Sequence, residues 1–226
     1  MIIVTGASRG LGFSIAQSLS EAGHSVLGIS RNQPSDEYSF QHRQGDVVSH
    51  SSLKAISQEL KSQKIQVEGL ICAAGVASMN LALMTPEKVV RDVIEINLTG
   101  TIFTNQIFSP LMLRGGGSII NFSTIAVSLA LSGESIYVAS KAGIEAFSRT
   151  LARELSAHNV RVNCIAPGPI RTDLLRGVSD DQISKITDRQ IIKKSYSHQD
   201  VVDLTKVLLS KEFSSITGQV LHVGGV

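Results

Sequence analysis

The chain has 226 residues, 42% of them hydrophobic and 18% charged, with a formal net charge of +2. This composition excludes a disordered chain, and so small a charge recommends neither nucleic acid nor an anionic membrane as partner. Cys72 and Cys164 are too few for a disulfide framework, and no apolar run reaches the ~18 residues of a membrane helix.

Residues 2–4 read as a first buried strand. A glycine-rich turn follows, and Leu11, Ile15 and Leu19 then repeat at the spacing of a one-sided helix. Further strands are expected at residues 25–29, more weakly at 40–44, and at 69–73. Val89, Val93, Ile96, Gly100, Phe103 and Ile107 mark one long helix, and residues 118–122 the next strand. Ile144, Phe147, Leu151 and Leu155 mark another helix, residues 160–166 a strong strand, and 219–223 the last. Residues 167–197 are polar and weakly patterned, as lids over ligands often are. A solvated helical insertion reads equally well. Strand and helix alternate throughout, which predicts one doubly wound α/β domain with a parallel sheet of about seven strands and helices on both faces. No basic region and apolar segment stand at the N-terminus to suggest a cleaved leader. A cytoplasmic protein is the expectation.

Gly6, Gly10 and Gly12 are spaced G-x-x-x-G-x-G between the first strand and the first helix. Glycines let the backbone turn tightly and bring its N–H groups to a pyrophosphate at a helix N-terminus. A dinucleotide site is therefore expected here. An acid about 20 residues on would favour NAD. The second strand instead runs into Arg31, with Asp36 and Glu37 later, beyond Pro34. A guanidinium suits the 2′-phosphate of NADP(H), and Arg9 is a second candidate for it.

Tyr137 and Lys141 lie four apart at the start of a helical pattern, so they share a face. A nearby ammonium favours the phenolate, and a tuned phenol can act as general acid to a carbonyl under reduction. Asn121, Phe122, Ser123 and Thr124 close the strong strand before them, where ligands of parallel sheets bind. Hydroxyls there can donate to a developing oxyanion.

Taken together, these residues resemble the short-chain dehydrogenase/reductase family from Thr5 to Gly225. The chain is most similar to its 3-oxoacyl-[acyl-carrier-protein] reductases. The glycine turn fits T-G-x-x-x-G-x-G, and Asn97-Leu98-Thr99-Gly100 fits the family's helical asparagine motif. Arg161-Val162-Asn163-Cys164-Ile165-Ala166-Pro167-Gly168 fits the strand and loop passing the nicotinamide, and Ile216-Thr217-Gly218 the approach to the closing strand. The resemblance implies a Rossmann fold, NADPH as hydride source, and a small or carrier-protein-linked substrate. It also implies a homodimer or homotetramer. It makes Tyr137 the proton donor and Thr124 the group that polarises the carbonyl. Lys141 lowers the tyrosine pKa and holds the ribose. Asn97 positions a relay water. It puts Gly6, Ser8, Arg9, Gly10, Leu11 and Gly12 at the phosphates and Asp46 and Val47 at the adenine. Arg31 takes the 2′-phosphate. Ala74, Gly75, Pro167, Gly168, Ile170 and Thr172 lie along the rest of the cofactor.

The chain departs from the family at four places. The serine position holds Thr124, with Ser123 just before it. Asn-Ala-Gly reads Ala73-Ala74-Gly75, so an amide that braces the neighbouring backbone is missing. The tail reads Gly224-Gly225-Val226. Only Arg114 and His158 offer basic charge where an acidic carrier protein would dock. Two alternatives stay open. One is a reductase or dehydrogenase of another carbonyl or secondary alcohol, such as a sugar, a steroid-like ketone or a polyketide intermediate. The other is a non-catalytic dinucleotide sensor. The six histidines form no ligand-spaced set, so no metal is expected. Both cysteines sit in apolar strands and read as small core residues.

Overall fold

A computed structural model describes residues 1–170 and 179–226. Its strands are β1 Ile2–Thr5, β2 Val26–Ser30, β3 Gln41–Gln44, β4 Gly69–Cys72, β5 Gly117–Phe122, β6 Val160–Ala166 and β7 Val220–His222. All pair in parallel, in one seven-stranded sheet of order β3-β2-β1-β4-β5-β6-β7. The order reverses between β1 and β4, which opens a crevice at the carboxyl ends of the strands. The expected doubly wound sheet is the one observed.

The helices are α1 Gly10–Glu21, α2 His50–Ser62, α3 Glu87–Val93, α4 Gly100–Phe108, α5 Ala126–Leu129, α6 Ser135–Glu154, α7 Asp180–Thr187 and α8 His198–Leu209. Two apolar clusters fill the two sides of the sheet. Ile15, Ala16 and Leu19 of α1 and Val201, Val202 and Leu208 of α8 meet Val4, Ile71, Ile120 and Ile165 on one side. Leu53, Ile56 and Leu60 of α2, Phe108 of α4 and Leu151 of α6 meet Ile3, Leu70, Ile119 and Val162 on the other. Each of these side chains larger than alanine, fully buried, contributes ~1.5–3 kcal/mol. That explains the nearly continuous apolar runs of the central strands, which are covered on both faces.

One expectation is corrected, and helices that the sequence pattern did not place are added. The stripe from Val89 to Ile107 is not one regular helix, because a π-turn over Ile94–Thr99 separates α3 from α4. The weakly patterned region contains α7, started by a capping box in which Ser179 and Gln182 bond each other's backbone. Helices α2 and α8 were not foreseen, since short apolar repeats separated by polar residues hid their periods. The expected lid spans residues 170–197, of which 171–178, including Thr172, lie outside the described residues.

Candidate active site

The glycine turn joins β1 to α1. Gly6 has φ +71°, and a Cβ there would stand 2.7 Å from Ala74 Cα. At Gly12 a Cβ would meet the Gly6 carbonyl oxygen at 2.4 Å. Neither position admits a side chain, so β1, the turn and the segment after β4 pack backbone against backbone. Arg9 at the N-cap of α1 supplies no side-chain acceptor, and the first turn has no acid. An anion placed there would take up the helix's first N–H groups and meet its positive end. The residues present thus fit a dinucleotide pyrophosphate. Ser8 and Leu11 are half-buried beside this turn.

Arg31 is exposed immediately beyond β2, and its carbonyl accepts from Gln44 Nε2 at 2.9 Å. Asp46 Oδ1 accepts from Val48 N at 3.2 Å. Buried Val47 packs under Gly100, where a Cβ would come within 2.8 Å of Val47 Cγ2. Pro167 and Ile170 are buried beyond β6, and the Pro167 carbonyl accepts from Ile125 N at 3.1 Å. Gly168 leaves room for Gln190, whose Nε2 would lie 2.6 Å from a Cβ there. Ala74 and Gly75 are half-buried after β4.

The four candidate catalytic residues converge at the ends of β4 and β5. Tyr137 and Thr124 are half-buried, and the Thr124 hydroxyl lies close enough to the phenol to act against the rise of its pKa. Thr124 Oγ1 also accepts from Ala126 N at 3.2 Å, which orients it. Ser123, the rival hydroxyl, is buried and donates to Glu145 Oε1 at 2.6 Å. Of the two, Thr124 is the one that meets the tyrosine.

Lys141 is only 5% exposed, and its Nζ donates to the Phe122 carbonyl at 2.9 Å. Burial pulls its pKa down to about 8. Its Nζ stands 5.8 Å from the centre of the Tyr137 ring. Burial lifts the tyrosine hydroxyl above its ordinary pKa, the nearby Glu134 carboxylate adds to this, and the Thr124 hydroxyl works against it. Lys141 is not among the groups that shift the phenol in this geometry. The ammonium is engaged by a carbonyl, and desolvation of the phenol dominates.

Asn97 lies in the π-turn, fully buried. Its Oδ1 accepts from Val76 N at 2.8 Å, and its Nδ2 donates to Val76 O at 2.9 Å and to Ser140 Oγ at 3.1 Å. This amide braces the backbone just after Ala73, Ala74 and Gly75. Its side-chain polar atoms are thus occupied, and its own carbonyl accepts from Thr101 Oγ1 at 2.6 Å. A buried polar chain continues from there, missed by sequence reasoning. Asn105 Nδ2 donates to Thr101 O at 2.8 Å and to Asn121 Oδ1 at 3.0 Å, and Asn121 Nδ2 donates to Ser148 Oγ at 2.8 Å. Cys164 Sγ donates to the same hydroxyl at 3.2 Å. Burial raises both thiols, Cys164 to about 11, so they are poor nucleophiles and sit as core residues.

A family model described as Enoyl-(Acyl carrier protein) reductase matches residues 6–225. The chain belongs to the short-chain dehydrogenase/reductase family. It is 33% identical to a 3-oxoacyl-[acyl-carrier-protein] reductase of Staphylococcus epidermidis, over 99% of this chain and 96% of that one. It is 31% identical to the enzyme of the same name from Escherichia coli, over 99% and 95%. Among solved structures it is similar to the ligand-free aldohexose dehydrogenase of Thermoplasma acidophilum, with TM-score 0.90, 27% identity, and 99% and 92% of the two chains covered. It is likewise similar to a short-chain type dehydrogenase/reductase from Mycobacterium ulcerans, with TM-score 0.90, 26% identity, and 98% and 87% covered. Members of this family bind a nicotinamide dinucleotide, which agrees with the glycine turn. Among the described residues, no helix is long and apolar enough to cross a membrane.

Proposed function

We propose that this short-chain reductase uses NADPH to reduce the ketone of a 3-oxoacyl thioester, borne on acyl carrier protein, to the 3-hydroxyacyl form. The observation that carries the reading is the hydroxyl pair of Thr124 and Tyr137, with Lys141 buried beneath it. The bound nicotinamide supplies hydride. Tyr137 presents its hydroxyl as the proton donor to the nascent alkoxide. Thr124 Oγ1 accepts from Ala126 N, so its own O–H remains a donor that can turn from the phenol to the substrate oxygen. Lys141 holds the ribose hydroxyls, and Asn97 fixes the backbone after β4 and carries the carbonyl that positions a relay water. Gly6, Ser8, Arg9, Gly10, Leu11 and Gly12 hold the phosphates. Asp46 and Val47 flank the adenine. Ala74, Gly75, Pro167, Gly168 and Ile170 line the remainder, and Thr172, outside the described residues, is assigned with them by the resemblance alone. Exposed Arg31, with no acid closing β2, supports NADPH over NADH. The names of the curated relatives support the thioester. A cytoplasmic homodimer or homotetramer is part of this reading.

A sugar or other polyhydroxy substrate is the second reading. Glu134, at the N-cap of α6 beside Tyr137, makes no side-chain hydrogen bond or ion pair among the described residues and would accept one from a substrate hydroxyl. The deciding test follows NADPH absorbance with an acetoacetyl thioester, with NADH and aldohexoses in parallel. Turnover of the thioester with NADPH and little with NADH is expected. NADPH binding without thioester turnover would overturn the reading.

A further inference from the structure

Four consecutive residues at the end of β5 each reach α6. Asn121 bonds Ser148, the Phe122 carbonyl accepts from Lys141, Ser123 donates to Glu145, and Thr124 meets Tyr137. The first of these contacts belongs to the buried polar chain, and the second and fourth to the reacting groups. The third has no part in any step above, yet it is shorter than the first two. At 2.6 Å it falls in the range of a charge-assisted O–H···O⁻ bond. The Glu145 side chain is only 12% exposed, and its one ion-pair contact among the described residues is Arg149 Nη1, a turn further on at 3.8 Å. A carboxylate buried this far is costly unless it is bonded, and an apolar side chain would fill the space without that cost.

What the bond adds is a tether in one direction. The backbone on either side of Thr124 is already tied to β6 and its loop, by Ser123 N to Ile165 O at 2.8 Å and Ile125 N to Pro167 O at 3.1 Å. Neither bond sets the separation between this strand end and α6. Glu145 lies on the same stripe of α6 as Tyr137 and Lys141, at intervals of four residues. We infer that Glu145 is a positioning residue, which through Ser123 holds the end of β5 against α6 and so keeps the Thr124 hydroxyl opposite Tyr137. The inference rests on Thr124 and Tyr137 being the reacting pair of the proposed reductase.

Ser123→Ala, Glu145→Leu and their double variant test it, with Glu145→Gln as the conservative replacement whose amide oxygen still accepts from Ser123. Each disruptive variant should lower kcat for the ketone about tenfold or more, as small misplacements of reacting groups do. KM for NADPH should stay unchanged. The double variant should be no worse than the singles, because both remove one bond, and Glu145→Gln should recover most of kcat. A second readout needs neither turnover nor cofactor. The chain has three tyrosines, Tyr38, Tyr137 and Tyr196. With 13C at the tyrosine Cζ, the Tyr137 resonance should shift in Ser123→Ala and Glu145→Leu and return toward the parent in Glu145→Gln, while the other two stay in place. An unmoved Tyr137 resonance, unchanged kcat, or additive losses would overturn the inference. If the parent reduces no ketone, the proposed function fails, and the resonance decides the inference alone.

Discussion

The Lys141 ammonium is bound to the carbonyl oxygen of Phe122, at the end of the strand that also delivers Thr124. The contact ties the cation to the backbone carrying the partner hydroxyl, but it does not repay the loss of water around the charge. That loss brings the lysine to about 8 from 10.5.

Below pH 8 both folded and unfolded states hold the proton, and folding bears the full penalty of burying the charge. Between pH 8 and 10.5 the folded lysine is neutral while the unfolded one is still charged, so the penalty fades as pH rises. Replacing Lys141 by Met removes this dependence. Urea unfolding of parent and Lys141→Met at pH 7 and pH 10 should show the difference moving in the parent's favour at the higher pH, by on the order of 3 kcal/mol. A difference that stays flat with pH would contradict the buried ammonium.

Removing the phenol hydroxyl should separate binding from chemistry. Tyr137→Phe is expected to cut kcat by about 10²–10⁴-fold, the usual worth of a positioned proton donor. NADPH binding, read by fluorescence, should change little. Unaltered turnover would assign the proton donor elsewhere.

The hydroxyl at 124 can be told from the one at 123. Thr124→Ala should lower kcat by about 10²-fold, as loss of an oxyanion donor does, and Thr124→Ser should restore most of it. Ser123→Ala should leave a larger residual rate than Thr124→Ala. The reverse ranking would make Ser123 the carbonyl's partner.

Among the glycines, Gly12→Ala should be worse for stability than Gly10→Ala. A Cβ at Gly12 drives into the Gly6 carbonyl, whereas at Gly10 it meets open space and faces only the φ of +58°. The first should cost about 3 kcal/mol, at the upper end of overpacking, and the second about 1–2 kcal/mol for a left-handed residue. Thermal unfolding scans compare them directly. Equal losses would mean that the close packing of the turn is not what the glycines serve.

Arg31→Ala should raise KM for NADPH about tenfold or more while leaving KM for NADH nearly unchanged, since a bidentate guanidinium–phosphate contact is made by only one of the two cofactors. Parallel steady-state measurements with both cofactors check this. Equal effects on both would move the phosphate contact to another cation.

The alternation of apolar strands and one-sided helices was readable because both periods are local. The glycine turn and the Tyr137–Lys141 pair were readable because their spacing is fixed by one turn or one helix. Glu145 was not, since nothing near it in the chain shows that Ser123 lies against it, and a lone acid in a helix reads as surface. Asn105 and Asn121 were hidden for the same reason: amides in apolar elements reveal their partners only after the sheet is assembled. The π-turn at Ile94–Thr99 leaves no composition mark. Ser197 and Asp200, however, do spell a capping box ahead of α8, so that helix could have been found from its start. The direction of the Tyr137 shift depended on burial, which spacing cannot give.

The amide of Asn121 lies abreast of Cys72 on β4 and Cys164 on β6, with Asn105 reaching it from α4. The neighbouring strands are rich in Ile and Val and would accept one another in several alignments with almost equal loss of apolar surface. A slip of one residue turns Asn121 to the opposite face, among Ile15, Ile71 and Val201, where no donor or acceptor awaits it. Such misaligned sheets forfeit a bonded amide and bury a bare one, a penalty of the order of several kcal/mol. This polar layer therefore works as an assembly checkpoint, admitting a single alignment of three strands whose apolar residues alone would not choose.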